Sequence, residues 1–160
     1  MNPNCTSFDA VIASPVGFLG LSAHADALTR IEFLGADCLP LALSNPLLRE
    51  AAAQLAAYFA DPSFRFDLPY RLEGTEFRRR VWAQIAAIPS GEVRSYADLA
   101  HALYSAPRPV GGACGANPLP LLIPCHRVVA ANGLGGFNAR RGGQDWLPIK
   151  RWLLTHEHVL

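Results

Sequence analysis

The chain has 160 residues, 51% of them hydrophobic and 17% charged, with a formal net charge of +1 at pH 7. That length and apolar content suit one domain or two small ones with a buried core, and exclude a disordered polyelectrolyte. No apolar run approaches the ~20 residues that span a bilayer, and Met1-Asn2-Pro3-Asn4-Cys5 lacks the basic start and apolar core of a signal peptide, so a cytoplasmic protein without a membrane partner is expected.

The small net charge hides a lopsided distribution. Residues 1–70 carry three arginines against seven acids, a net of −4, and residues 71–160 carry ten arginines and one lysine against six acids, a net of +5. An acidic half turned away and a basic half facing a polyanion fit that polarity; a solvated basic face is the alternative.

In chain order, the first third reads as β structure. Phe8–Ala13, Phe18–Ala23 and Leu28–Leu34 are short apolar runs separated by Ser14-Pro15-Val16-Gly17 and His24-Ala25-Asp26, the pattern of an antiparallel meander. Asn45-Pro46 opens a helix over about Leu47–Phe59, closed by Asp61-Pro62. Phe64–Tyr70 alternates and reads as one more strand or a linker.

After Gly74 the texture is helical. Thr75 is a candidate N-cap before Phe77, Val81, Trp82, Ile85 and Ile88, which share one helical face until Pro89. Gly91–Arg94 is a turn, and Ser95 caps a helix bearing Tyr96, Leu99 and Leu103. After the break at Ala106-Pro107 comes a second short segment, Arg108–Gly115. Two short helices joined by a tight turn, with an arginine opening the second, form a helix-turn-helix pattern. Gly111, Gly112 and Gly115 leave that second helix nearly bare, for close approach to a groove or for tight helix packing. Ile149–Leu154 begins a last amphipathic helix. The expected fold class is α+β: a small N-terminal antiparallel-sheet α/β domain over 1–70, then a mostly helical C-terminal domain over 71–160 with a winged-helix-like helix-turn-helix.

Cys5, Cys38, Cys114 and Cys125 show no C-x-x-C pairing and no regular spacing, and without a secretory signal a disulfide framework is not expected. Cys125 differs from the others by its neighbours, Ile123-Pro124-Cys125-His126-Arg127-Val128-Val129. Proline stiffens the approach and donates no N–H, so a rigid turn and not a regular helix presents the thiol. A cysteine in an apolar run is ordinarily a small core hydrophobe. An adjacent imidazole and guanidinium, however, can stabilise a thiolate, the reactive form.

Four segments carry a family resemblance, in order: Gly74-Thr75-Glu76-Phe77 with Val81-Trp82; Gly91-Glu92-Val93-Arg94-Ser95-Tyr96; Arg108-Pro109-Val110-Gly111-Gly112-Ala113 through Asn117-Pro118; and Pro124-Cys125-His126-Arg127-Val128. Trp152-Leu153-Leu154-Thr155-His156-Glu157 closes the set. Together they resemble the O6-alkylguanine-DNA alkyltransferases (methylated-DNA–protein-cysteine methyltransferases). The resemblance implies a single-use repair protein that moves the alkyl group of O6-alkylguanine, and of O4-alkylthymine, onto Cys125 without a cofactor.

It further implies that His126 is the base, acting through a bridging water, with Glu157 orienting and charging the imidazole. Tyr96 would press on the target's 3′ phosphate and help protonate the departing base. Arg108 would fill the gap left when the nucleotide flips out of the stack, a step that costs a few kcal/mol. Gly111 and Gly112 would lie against the groove. Asn117 would brace the turn before the active segment, and Pro120 would wall the alkyl pocket. The backbone at Cys125 and Val128 would accept from the guanine amino group, and Arg127 would form an internal ion pair. The implied partner is double-stranded DNA containing O6-alkylguanine, bound by a monomer.

Some members of that family hold zinc in the N-terminal half. Here Cys5 and His24 supply two ligands with no convincing third and fourth, so no metal is expected. After Gly135-Gly136 the chain departs from the family pattern with a longer loop. Phe137 stands in for an aromatic pocket wall, the usual serine has no equivalent, and Arg140 and Arg141 read as phosphate contacts or as a mobile surface loop. Two other classes remain open: a cysteine hydrolase turning over many times, and a non-catalytic regulator that binds alkylated DNA.

Overall fold

The computed structural model describes residues 3–41, 44–136 and 145–160. The chain divides into two compact units, Met1–Leu72 and Glu73–Leu160. No helix among the described residues is long and apolar enough to cross a membrane.

In the first unit, β1 (Ala10–Ile12), β2 (Phe18–His24) and β3 (Ala27–Gly35) form an antiparallel sheet in that order. The register sets Leu21 opposite Ala10 on one side and Ile31 on the other, and Leu19 opposite Ile12 and Phe33. Ala10, Leu19, Leu21, Ile31 and Phe33 are buried with Leu48, Ala51, Leu55 and Tyr58 of α1 (Pro46–Ala60), which packs on β2 and β3. Asn45 caps α1 by accepting from the Leu47 N–H at 2.8 Å, and Pro46 opens the helix where a missing N–H costs nothing. Gly20 is required by packing: a Cβ there would lie 2.5 Å from the Phe8 ring.

The alternating run 64–70 makes no full strand. Its backbone meets Leu28 only at its end, where Leu28 N donates to Pro69 O and Arg71 N to Leu28 O. Midway, the buried amide of Gln54 bonds both the N–H and the C=O of Asp67. A side chain on a helix thus satisfies backbone that a neighbouring strand would otherwise have to serve.

One expectation is overturned here. Cys5 and Cys38 form a disulfide, joining a 3-10 turn at Pro3–Ser7 to the loop after β3, within a cluster of Phe8, Val11 and Leu34. The two cysteines lie 33 residues apart, and only the packing of that apolar cluster brings them together.

The second unit holds α2 (Glu76–Ala86), β4 (Arg94–Ser95), α3 (Tyr96–Ala102), α4 (Pro107–Gly115), β5 (Val128–Val129) and α5 (Leu147–His156). Thr75 caps α2 and Ser95 caps α3, the latter in a reciprocal box with Asp98. α2 ends at Ala86, short of the expected Pro89, because a residue before proline is pushed out of the helical region. Ile88 is still buried. The α3–α4 pair is the helix-turn-helix. Its turn passes through Tyr104, at φ 53 and 96% exposed. α2 packs on α4, and the buried Trp82 indole donates to Ala113 O at 2.8 Å.

Candidate functional site

The segment before Cys125 is a loop without regular structure, held by one side chain. Asn117 is fully buried; its Oδ1 accepts from Leu119 N at 2.9 Å and its Nδ2 donates to Ile123 O at 2.8 Å. Leu119 O in turn accepts from Ile123 N. Within this clamp Leu121 sits at φ 78, a left-handed conformation that costs a branched residue roughly 1–2 kcal/mol. Pro120 is buried in the same loop. Such strain persists only where surrounding bonds over-determine the backbone, as Asn117 does here.

Cys125–Arg127 then forms a single 3-10 turn, and the chain leaves it as β5. β5 pairs in parallel with β4, Arg94 with Val128 and Ser95 with Val129. That ladder, two residues long and not expected from sequence, ties the exit of the cysteine turn to the start of α3. Tyr96 follows Ser95 directly, so the pairing brings it to the cysteine turn.

Cys125 is buried, as are His126 and Glu157. His126 Nε2 lies 2.8 Å from Glu157 Oε2. Arg127 grips the same carboxylate with two bonds, Nε to Oε1 at 2.8 Å and a terminal nitrogen to Oε2 at 2.9 Å, and donates once more to Ile88 O at 2.7 Å. The carbonyl freed by the early end of α2 is thereby used, and the internal ion pair expected of Arg127 has Glu157 as its acid. An ionised carboxylate only accepts, so Nε2 carries the imidazole proton and Nδ1 keeps the lone pair. Nδ1 is buried without a hydrogen-bond partner among the described residues. Burial pushes the His126 pKa below its ordinary value, and Glu157 opposes that shift while Arg127 adds to it. The ring is therefore neutral and basic at Nδ1.

Sequence reasoning passed over one member of the site. Lys150 is fully buried, and its Nζ donates to Val128 O at 2.7 Å and Gly136 O at 2.8 Å. The same nitrogen lies 5.9 Å from the centre of the Tyr96 ring. The signal was present: Trp146, Ile149, Lys150, Leu153, Leu154 and Glu157 follow the i, i+3, i+4 spacing of one helical face, and all are buried. A lysine and a glutamate on an otherwise apolar stripe mark chemistry or pairing inside. Tyr96 also donates to Gly136 O at 3.3 Å. Gly135 beside it has φ 72, and a Cβ there would sit 2.9 Å from Tyr96 Cε2. Burial raises the Tyr96 pKa far above its usual value and lifts the Cys114 thiol to about 12, with Cys125 contributing to both.

Burial lowers the Lys150 pKa from 10.5 to about 8, with Cys125 and Cys114 pulling it back up. Between these two values the unfolded chain binds the extra proton, so stability rises with pH, by up to about 3 kcal/mol from this group. Below pH 8 the lysine is charged in both states and contributes no slope. Urea unfolding of the wild type and Lys150→Met across pH 8 to 10.5 should give a steeper rise for the wild type. Parallel curves would show that the buried ammonium is not the titrating group.

The remaining expected site residues lie on α4. Arg108 is exposed at the second position of that helix. A Cβ built on Gly111 or Gly112 meets nothing within 4 Å, so these glycines face open space and the tight-packing alternative does not apply to them. Phe137, Arg140 and Arg141 lie outside the described residues. Among the described residues no three His, Cys, Asp or Glu side chains gather into a metal-binding group.

A family model for the DNA-binding domain of 6-O-methylguanine DNA methyltransferase matches residues 76–159. The chain is 44% identical over 110 residues to a methylated-DNA–protein-cysteine methyltransferase of Archaeoglobus fulgidus, covering 69% of this chain and 75% of that protein. A protein of the same name from Methanosarcina acetivorans is 36% identical over 156 residues, covering 92% of this chain and 96% of the relative. The crystal structure of Mycobacterium tuberculosis O6-methylguanine methyltransferase superposes with a TM-score of 0.76 at 37% identity, over 93% of this chain and 91% of that one. The M. tuberculosis protein in complex with DNA gives 0.75 at the same identity, over 93% and 92%.

Proposed function

The chain belongs to the methylated-DNA–protein-cysteine methyltransferase family, and on that premise we propose that it repairs O6-alkylguanine in duplex DNA by moving the alkyl group onto Cys125. The observation that carries the assignment is the buried relay behind the cysteine: His126 with its free Nδ1 lone pair, backed by Glu157, which Arg127 pins with two bonds. The thiolate, not the thiol, is the nucleophile, and the neutral imidazole next in the chain is the base we assign to take the proton.

His126 takes the Cys125 proton through a bridging water, and Glu157 stabilises the imidazolium. Sulfur attacks the alkyl carbon in line, the S–C bond forms, and the C–O6 bond breaks. The electron pair leaves with the guanine, whose ring takes up a proton; we assign its delivery to Tyr96, which regains one from the His126 imidazolium, so that the proton lost by Cys125 ends on the base. The product is a thioether. Water does not hydrolyse it as it would a thioester, so each molecule acts once. O4-alkylthymine carries the same ether at its pairing edge and is the second substrate.

Because the target oxygen is inside the duplex, the nucleotide must flip out to reach a buried thiol. Arg108 enters the vacated stack, its planar guanidinium both stacking and hydrogen-bonding. The bare surface at Gly111 and Gly112 admits the groove. Asn117 and Pro120 shape the pocket, and the Val128 carbonyl keeps a second lone pair for the guanine amino group beside its bond from Lys150. We place the protein in the cytoplasm, acting as a monomer on DNA.

The test is intact-mass and peptide-mapping spectrometry after incubation with duplex containing O6-methylguanine. One methyl per protein on the Cys125 peptide, with no further consumption of substrate, is the expected outcome. Many turnovers without lasting modification would point to a hydrolase, and tight binding with an unchanged thiol to a non-catalytic regulator.

A further inference from the structure

We infer that Arg78, Arg79 and Arg80 on α2 form a phosphate-contact patch that grips the DNA backbone outside the helix-turn-helix. The inference rests on the DNA-repair reading above and extends it to residues that reading does not use.

The net +5 of residues 71–160 overstates what can face a polyanion. Arg127 and Lys150 are bonded inside the unit, and Arg94 is paired with Glu92. The exposed arginines that remain in the second unit, among the described residues, are Arg78, Arg79, Arg80, Arg108 and Arg151. Three of these five stand consecutively in the first half of α2, and no carboxylate among the described residues pairs with them.

Helix stability does not account for that placement. Arg78 is the third residue of α2, in its first turn, where a cation opposes the macrodipole by about 0.3–1 kcal/mol, and Arg79 and Arg80 follow it with no carboxylate among the described residues to offset them. Glu76 is the one acid in that turn. A sequence that sets three guanidinium groups there, unpaired and in water, places positive charge where only an external anion can use it. The guanidinium fork matches phosphate oxygens in geometry as well as charge.

The patch is also rigidly coupled to the recognition helix. Thr75 Oγ1 accepts from Arg78 N at 3.1 Å and fixes the start of α2. One turn on, Val81, Trp82 and Ile85 are buried, and Trp82 bonds Ala113 of α4. Arginines held on a helix locked to α4 contact phosphate in a fixed register with the groove-facing residues, and so position the protein without reading sequence.

The measurement is equilibrium binding of the full chain to undamaged and O6-methylguanine duplexes at salt concentrations from about 50 to 200 mM. Each phosphate contact contributes roughly 0.9 to the slope of log K against log salt, so R78Q/R79Q/R80Q should lower the slope by about 2–3 and weaken both duplexes by the same factor. R78K/R79K/R80K should restore most of the slope, and Arg151→Gln on α5 should keep the wild-type value. The melting temperature of the glutamine variant should be no lower than that of the wild type. An unchanged slope in that variant, an equal drop with Arg151→Gln, or a clear loss of melting temperature would overturn the inference and leave the repair reading intact. A wild-type chain that binds neither duplex would instead overturn the repair reading itself.

Discussion

Cys125→Ala should bind O6-methylguanine duplex and never become methylated, while the wild type takes up one methyl per molecule. Alanine removes only the sulfur, and a buried Cys-to-Ala change typically costs within about 1 kcal/mol, so the loop clamped by Asn117 should persist. Cys125→Ser sharpens the test, because it keeps a nucleophilic atom of nearly the same position and size. A hydroxyl holds its proton far more tightly and is a harder nucleophile toward an alkyl carbon. Transfer should fall by on the order of 10⁴-fold or more, the scale seen when a sole nucleophile is removed. Single-turnover transfer of a labelled methyl group from DNA measures both variants. Methylation of Cys114 in the alanine variant at the wild-type rate would show that the relay serves a different thiol.

Glu157→Ala should be the most destabilising change at the site. The carboxylate is buried and receives His126 and two bonds from Arg127; deleting it leaves a guanidinium only 12% exposed without its counter-charge, a loss of up to about 3–5 kcal/mol. Glu157→Gln separates folding from chemistry. The amide keeps the side-chain shape and accepts from one of the two Arg127 nitrogens while its NH2 faces the other, so the folding loss should be smaller than for alanine, about 1–3 kcal/mol. It can also donate to His126 Nε2, which moves the ring proton to Nδ1 and removes the lone pair that the relay needs. By analogy with the carboxylate-to-amide change in a serine-protease triad, transfer should fall by up to about 10⁴-fold. Denaturant unfolding and the single-turnover rate against pH distinguish the two effects. A glutamine variant that transfers at the wild-type rate would leave Glu157 with a purely structural role.

Much of the site is legible in the amino-acid sequence, for reasons that are local. Pro124, Cys125, His126 and Arg127 are neighbours, and covalent adjacency alone sets an imidazole and a guanidinium near a thiol. Ser95 and Thr75 declare themselves as caps, since a side chain accepting from an N–H two or three residues on needs no tertiary partner. Glu157 comes into view through its place in the ordered motif set, not through periodicity, though it shares the buried stripe that also holds Lys150.

What stays hidden depends on residues far apart in the chain. The Cys5–Cys38 bridge, the pairing of β4 with β5, and the meeting of Tyr96 and Lys150 at Gly136 O each join segments that no periodicity connects. Gln54 standing in for a strand partner along 64–70 is of the same kind. By itself the sequence determined the helices and the N-terminal meander, their caps, the reactive tetrad and the charge asymmetry, because propensity, capping and adjacency act within a few residues. Only the tertiary structure decided which charges are spent inside and which face solvent. Arg127 and Lys150 are consumed by buried partners, whereas Arg78, Arg79 and Arg80 remain outside. Burial makes that division, because desolvating a cation is tolerable only where packing delivers acceptors to meet it.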